Sequence, residues 1–344
     1  MNQQWKQFLE SQSAVVGESD TVSFPNGQNL SDCALFDLSH FRFIQVSGDD
    51  AEAFLQGQFT NDIRQASPEH HQMSGYCTPQ GRMLTNFRIF CHNDTYILQL
   101  PEDTCEALLK RLTMFILRSQ VTLEDVSGQL IAIGLAGDCS KELLAASFDT
   151  LPQTNGDAIQ HSGVTILSLP GPTPRFELIG TPEAMEALWP KLAEKANATD
   201  PELWSLLDIR SGIPTIYSGT VESFVPQMTN MQLVDGVNFD KGCYVGQEVV
   251  ARMKYLGSLK RRMYLAKTDA STQPQPGDEL FSTTETESGQ GAGKVVTSAA
   301  SPQGGYELLA VIDNNHIETD QLHLDSDSGP TIDIIPLPYE FEED

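Results

Sequence analysis

The octet Lys241-Gly242-Cys243-Tyr244-Val245-Gly246-Gln247-Glu248 gathers an ammonium, a thiol, a phenol and a carboxylate within eight residues. Its two glycines, four positions apart, permit a backbone path with positive φ or a close approach to a ligand. An ammonium beside a cysteine favours the thiolate, the form that acts as a nucleophile. The competing reading is a buried cysteine closing a turn, because free cysteine is usually buried and inert. Polar residues flank this thiol on both sides, and the two readings balance. Cys243 is therefore the candidate reactive group, with Lys241, Gly242, Tyr244, Gly246, Gln247 and Glu248 as its setting.

Charge supplies the second signal. The chain carries 47 acidic and 21 basic residues, a net charge of -26. Residues 241–262 reverse that balance, with Lys241, Arg252, Lys254, Lys260, Arg261 and Arg262 against Glu248 alone. Cations concentrated in an acidic protein suggest a site for a small anion, with Arg252 and Lys254 as candidates, or else a solvated run at a domain junction. The overall charge argues against direct tRNA binding, since phosphate is repelled at long range. Two aromatics suit a flat ring: Trp204, within a helical stretch, and Phe41, at the start of a strand. Filling a core is the commoner use of such side chains.

Other chemistries find little support. The six cysteines (Cys33, Cys77, Cys91, Cys105, Cys139 and Cys243) show no C-x-x-C spacing, which weakens an iron–sulfur or metal reading. A disulfide framework is not expected in so long a chain with so few cysteines, and most read as small buried apolar side chains. None of the seven histidines has the i, i+4 spacing of a zinc helix. No phosphate-binding glycine loop or nucleophile elbow occurs.

The elements that must position these residues follow from periodicity. Phe41–Val46 reads as a strand, Ala51–Leu55 as a helix, and Tyr76–Thr78 with Arg82–Phe90 as strands about a Pro79-Gln80-Gly81 turn. Tyr96–Leu100 is the next strand. A helix is predicted over 102–117, with Leu108, Leu109, Leu112, Phe115 and Ile116 at helical spacing. A strand over 121–126 completes the set, and a similar order repeats from Leu130 to Leu192. The class is α+β, with two ferredoxin-like halves near 31–126 and 127–200. Residues 201–257 form a loop-rich region that completes the site. Short strands punctuated by Gly and Pro predict a small β-barrel over 258–344. No leader or apolar run of membrane length is visible, and a soluble cytoplasmic protein without membrane contact is expected.

The octet resembles the K-G-C-Y-x-G-Q-E signature of the YgfZ family. Gln56–Asp62 (QGQFTND), Gly81–Asn86 (GRMLTN), Val225–Asn230 (VPQMTN) and Pro336–Tyr339 (PLPY) resemble the same family. The resemblance implies a folate-binding domain like that of the glycine-cleavage T protein, followed by a C-terminal barrel. It implies tetrahydrofolate or a derivative as ligand. It also implies a role in tRNA modification and in upkeep of iron–sulfur enzymes, with those enzymes or their assembly factors as partners. The family's folate-contacting tryptophan falls on Trp204. Its second aromatic contact falls on Phe41, where relatives carry Trp, so an indole N–H is lost. The T protein is an aminomethyltransferase with a catalytic aspartate in the turn matching Thr85-Asn86, and neither residue here can carry a negative charge. An accessory folate-binding factor is thus expected ahead of a folate-dependent one-carbon transferase, for which Asp62 is the nearest acid. A bare interaction module with a relic pocket is the third reading.

Overall fold

The computed structural model describes residues 1–18, 20–256, 259–282, 291–317 and 321–341. The chain opens with α1 (Gln3–Ser11), whose first turn is capped by the Asn2 side chain accepting from the Trp5 amide, and a short ribbon, β1 (Val15–Val16) with β2 (Val22–Ser23). Strand β3 (Ala34–Asp37) follows. The first half then runs β4 (Phe41–Ser47), α2 (Ala51–Gln56), β5 (Gln72–Cys77), β6 (Met83–His92), β7 (Thr95–Pro101), α3 (Glu102–Thr113) and β8 (Thr122–Asp125). The second half repeats that order: β9 (Ile131–Ala136), α4 (Ser140–Ala145), β10 (Ala158–His161), β11 (Val164–Leu169), β12 (Arg175–Gly180), α5 (Pro182–Ala193) and β13 (Asn197–Thr199).

The sheets repeat as well. The first has order β5-β6-β7-β4-β8 and the second β10-β11-β12-β9-β3-β13. Removing β3 leaves the same plan twice, a ferredoxin-like order with one extra edge strand. The sequence shows this repeat only as element order, and it does not reveal that β3 leaves the half in which it is encoded. Strand β3 pairs antiparallel with β9 and parallel with β13, so the second sheet is completed by residues from both its ends.

That placement corrects the reading of the cysteines. With Ala34 opposite Ala136, the chain entering β3 lies beside the chain leaving β9, and Cys33 forms a disulfide with Cys139 across 106 residues of sequence. Linear spacing could not show this pair. Cys77, Cys91 and Cys105 are buried free thiols, and Cys243 is exposed.

A second correction concerns α3, which ends at Thr113 rather than near 117. In its last turn the Thr113 hydroxyl donates back to the Leu109 carbonyl (2.7 Å). The next amides shorten their reach, Phe115 to Leu112 and Ile116 to Thr113. Met114, Phe115 and Leu117 are left exposed.

One face of the second sheet carries the apolar core. Leu35, Ile133, Leu135, Phe176 and Leu178 pack with Trp5 and Leu9 of α1 and with Leu188 and Trp189 of α5. Beyond β13 come α6 (Glu202–Arg210), a loop-rich stretch and α7 (Gln247–Leu256). A closed six-stranded barrel follows from β14 (Arg261–Thr268), β15 (Glu279–Ser282), β16 (Gly293–Ala300), β17 (Tyr306–Asp313), β18 (Leu322–Leu324) and β19 (Thr331–Ile335). Strands β18 and β19 are only three and five residues long, too short for alternation to announce them, and the strands expected from sequence do not include them. The expected boundary at residue 258 lies outside the described residues. By contact the chain divides into two compact units: residues 1–55, 63–72 and 87–204, and residues 56–62, 73–86 and 205–344.

Peptide mapping without reductant is expected to recover Cys33 joined to Cys139. Cys33→Ser should lower unfolding free energy by about 2–4 kcal/mol, and a reductant should destabilise the wild type by a similar amount while leaving the variant unchanged.

Candidate functional site

In the second unit, Lys241 is buried and its ammonium donates to three backbone carbonyls: Gln56 at 2.9 Å, Phe59 at 2.6 Å and Asn61 at 2.7 Å. A lysine has three donors and no acceptor, so these bonds satisfy it completely. The Tyr244 ring lies 5.0 Å from the same Nζ. Burial of an ammonium is costly without such partners, and the carbonyls supply them. Lys241 therefore fastens the octet to the 56–62 loop, rather than holding its charge free beside the thiol.

The loop answers with bonds of its own. The Asn61 side chain donates to the Met73 and Asp235 carbonyls, and the Thr60 hydroxyl donates to the Gly236 carbonyl while accepting from the Gly75 amide. Farther along the octet, Gly246 has φ +85°, and a Cβ there would stand 2.5 Å from the Thr78 carbonyl oxygen and 3.1 Å from the Gly81 Cα. Only glycine allows that close approach to the 79–81 turn. Asn86 donates to the Pro214 carbonyl (2.7 Å) and accepts from the Ile216 amide (2.8 Å), so its amide is committed to backbone. Asn230, in the left-handed region at φ 57°, donates to the Met263 carbonyl, and Tyr339 donates to the Gly212 carbonyl.

Cys243 is exposed at the tip of this latched turn. A Cβ added at the neighbouring Gly242 would meet nothing within 4 Å. Behind it, Tyr244 is buried and its phenol is pushed upward by burial and by the nearby Cys77. Burial raises the thiols of Cys77 and Cys105 to about 12 and that of Cys91 to about 11. Glu248 is exposed at the start of α7, and Gln247 is half-buried. The cations of the run differ in setting, and Lys260 is exposed. Lys241 is caged, Arg261 pairs with Asp313 (3.7 Å), Arg262 lies over Phe341, and Lys254 lies 4.1 Å from the Phe239 ring centroid. Arg252 is exposed. Asp62 is buried and accepts from the Gln56 amide (3.0 Å).

In the first unit, β12 alternates. Phe176 and Leu178 enter the core, while Arg175 and Glu177 point to the opposite face. On that face Gly134 of β9 stands directly across from Glu177, and a Cβ there would lie 2.6 Å from Trp204. The missing side chain makes room for the indole. Trp204 is fully buried, with Phe36 against it edge-on (5.2 Å) and the Arg175 guanidinium 5.2 Å from its centroid. Its Nε1–H has no acceptor among the described residues.

Arg88 of β6 reaches the same region. It lies 3.9 Å from the Glu177 carboxylate and donates to His71 Nδ1 (3.2 Å), while His71 Nε2 donates to the Ser168 carbonyl (2.9 Å). Burial, and then the Arg88 charge, hold the His71 pKa well below its ordinary 6.5, so the ring is neutral. Gln99 of β7 stands opposite Arg88, is buried, and has neither amide atom bonded among the described residues. Phe41 is half-buried and packs on His40 (4.2 Å). It stands two residues before Phe43, which pairs with Gln99, so Phe41 and Gln99 belong to the same face of the first sheet. Gln99, Glu177, Arg88 and His71 were missed at the sequence level. Polar residues alternating along strands beside apolar ones were the available signal.

Among the described residues no cluster of His, Cys, Asp or Glu is placed to hold a metal, and no helix is long and apolar enough to cross a membrane.

Residues 28–170 match the family described as GCVT N-terminal domain. The tRNA-modifying protein YgfZ of Pectobacterium carotovorum subsp. carotovorum (strain PC1) is 33% identical over 312 residues, covering 90% of this chain and 92% of that one. The protein of the same name from Serratia proteamaculans (strain 568) is 31% identical over 323 residues, covering 93% and 96%. The chain belongs to the YgfZ family. Its fold is that of glycine cleavage system aminomethyltransferase T from Bartonella henselae, with a TM-score of 0.75 at 14% identity over 96% of this chain and 95% of that one. The five segments that resemble the YgfZ family all fall in the second unit, where Asn230 also donates to the Tyr339 hydroxyl and Thr229 to the Met83 sulfur, whereas the Trp204 face lies in the first.

Lys241→Met should cost about 3 kcal/mol or more, because three buried carbonyls lose a charged donor. Cys243→Ala should stay within about 0.5 kcal/mol of wild type, as an exposed substitution. Urea denaturation checks both. Brief treatment of native protein with N-ethylmaleimide should label Cys243, with Cys77, Cys91 and Cys105 labelled only after unfolding, as read by mass spectrometry. His71 adds a pH dependence. The unfolded ring binds a proton near pH 6.5 and the folded ring does not. Its contribution is therefore complete above that pH and is lost as pH falls, at up to about 1.4 kcal/mol per pH unit. Denaturation at descending pH should show this slope, and His71→Asn should remove it.

Proposed function

We propose that this chain binds a reduced folate, tetrahydrofolate or a derivative, on the buried face that Trp204 and Glu177 share. It acts as an accessory factor in tRNA modification, with Cys243 as its functional thiol. The supporting observation is the buried Gln99 carboxamide, whose donor and acceptor are both unbonded among the described residues. Buried polar groups are normally paired, and such a carboxamide asks for a polar partner of matching pattern. The Trp204 Nε1–H makes the same demand nearby. A pterin offers both: a flat ring edged with donors and acceptors.

Two further facts support the reading. The fold is shared with an aminomethyltransferase. The family relatives carry the name tRNA-modifying protein, which points this chain toward the same process. Accessory binding is favoured over one-carbon transfer by Asn86, whose amide is bonded on both sides to the 214–216 backbone and cannot supply a carboxylate. Iron–sulfur enzymes or their assembly factors are the partners proposed for the exposed Cys243, and the cytoplasm is its proposed compartment.

Calorimetric titration with tetrahydrofolate tests the binding. Wild type should bind, and Gln99→Leu and Glu177→Gln should each bind at least about tenfold more weakly, one lost buried hydrogen bond being worth about that much. No heat from the wild type would sink the reading. Cys243→Ala should bind tetrahydrofolate normally yet fail to restore tRNA modification in cells lacking the protein.

A further inference from the structure

The helical pattern of 102–117 places Phe115 and Ile116 in line with the buried Leu108 and Leu112. The fold does not honour that pattern. Met114 is 62%, Phe115 43% and Leu117 87% exposed. Single exposed apolar side chains are ordinary. Here three of the five large exposed hydrophobics among the described residues fall within four consecutive positions.

The patch is displayed on a fixed loop. Asp50 accepts from the Gln120 amide (2.7 Å), the Asp50 amide donates to the Gln120 carbonyl (3.2 Å), and the Thr113 hydroxyl closes the end of α3 (2.7 Å). Its rim is basic. Lys110 and Arg118 are exposed, Arg111 is half-buried, and no acidic residue occurs between Glu106 and Glu124 in a chain of net charge -26.

Charge selects the occupant. A polyanion such as nucleic acid or an anionic bilayer meets the field of the whole molecule, which repels it, and a second copy brings the same -26. A short acidic segment of another protein feels chiefly the local cations, because the Debye length is only about 8 Å at physiological salt. Met, Phe and Arg are also side chains enriched at protein interfaces.

We propose that Met114, Phe115 and Leu117, rimmed by Lys110 and Arg118, dock another protein through an apolar segment bordered by Asp or Glu. This surface does not depend on folate binding.

Photo-crosslinking in cells tests the proposal, with p-benzoylphenylalanine at position 117 and, as exposed controls, at 15 and 221. Position 117 should yield a protein adduct that the controls lack, and the crosslinked peptide should carry carboxylates beside apolar residues. Adding Lys110→Glu and Arg118→Glu should cut the adduct about tenfold through like-charge contact, with melting temperature and tetrahydrofolate titration unchanged. Reversing the partner's mapped carboxylates to Lys should restore it. Adducts equal at 117 and 15, adducts to nucleic acid, lipid or a second copy of this chain, or indifference to the charge reversal would each overturn the proposal.

Discussion

One ammonium organises the region around the 241–248 octet. Lys241 is buried, and three carbonyls of the 56–61 stretch accept its three protons. No neutral side chain could bind three carbonyl oxygens in this way, and no exposed lysine would need to. The consequence is mechanical. A turn carrying an accessible thiol is held against a loop that stands some 180 residues earlier in sequence. The motifs around Gln56, Gly81, Asn230, Lys241 and Tyr339 read as separate fragments on paper. Hydrogen bonds and glycine contacts within the second unit make them parts of a single bonded framework.

The Trp204 face is built by a different device. A strand sends alternate residues to opposite sides, so β12 gives two apolar side chains to the core and two charged ones to the other surface. Gly134 removes a side chain where the indole must lie. The result is a buried polar surface on a rigid sheet, with Arg88 poised between a carboxylate and an imidazole kept neutral by its surroundings. Interior polarity of this kind reduces stability unless a partner completes it.

Much of this was legible in the sequence, and the failures share a cause. Local pattern located β4, the hairpin about Gly81, helices α2 and α5, and the first four barrel strands, because alternation, helical spacing and turn residues act over a few positions. What escaped was long-range. Cys33 meets Cys139 only because β3 crosses into the other sheet. The role of Lys241 depends on carbonyls, which no sequence displays as side chains. The apolar spacing beyond Thr113 suggested more helix, whereas the amides of Phe115 and Ile116 there reach back only three residues. Gln99 and Glu177 looked like ordinary strand residues until the sheets placed them beside Arg88.

The position of β3 also bears on how the chain can assemble as it is synthesised. The strands of the first sheet lie between residues 41 and 125, so that sheet can pair once those residues have emerged. The second cannot, because β3, made early, must wait for β9 and β13. Until then Trp5, Leu9 and Phe24, which belong to the second sheet's core, lack the β9, β12 and α5 side chains that cover them in the finished fold. A nascent chain in that interval displays sticky aromatic surface at its leading end, the condition that recruits chaperones and invites aggregation. Slowing translation between residues 40 and 130 would lengthen that exposure.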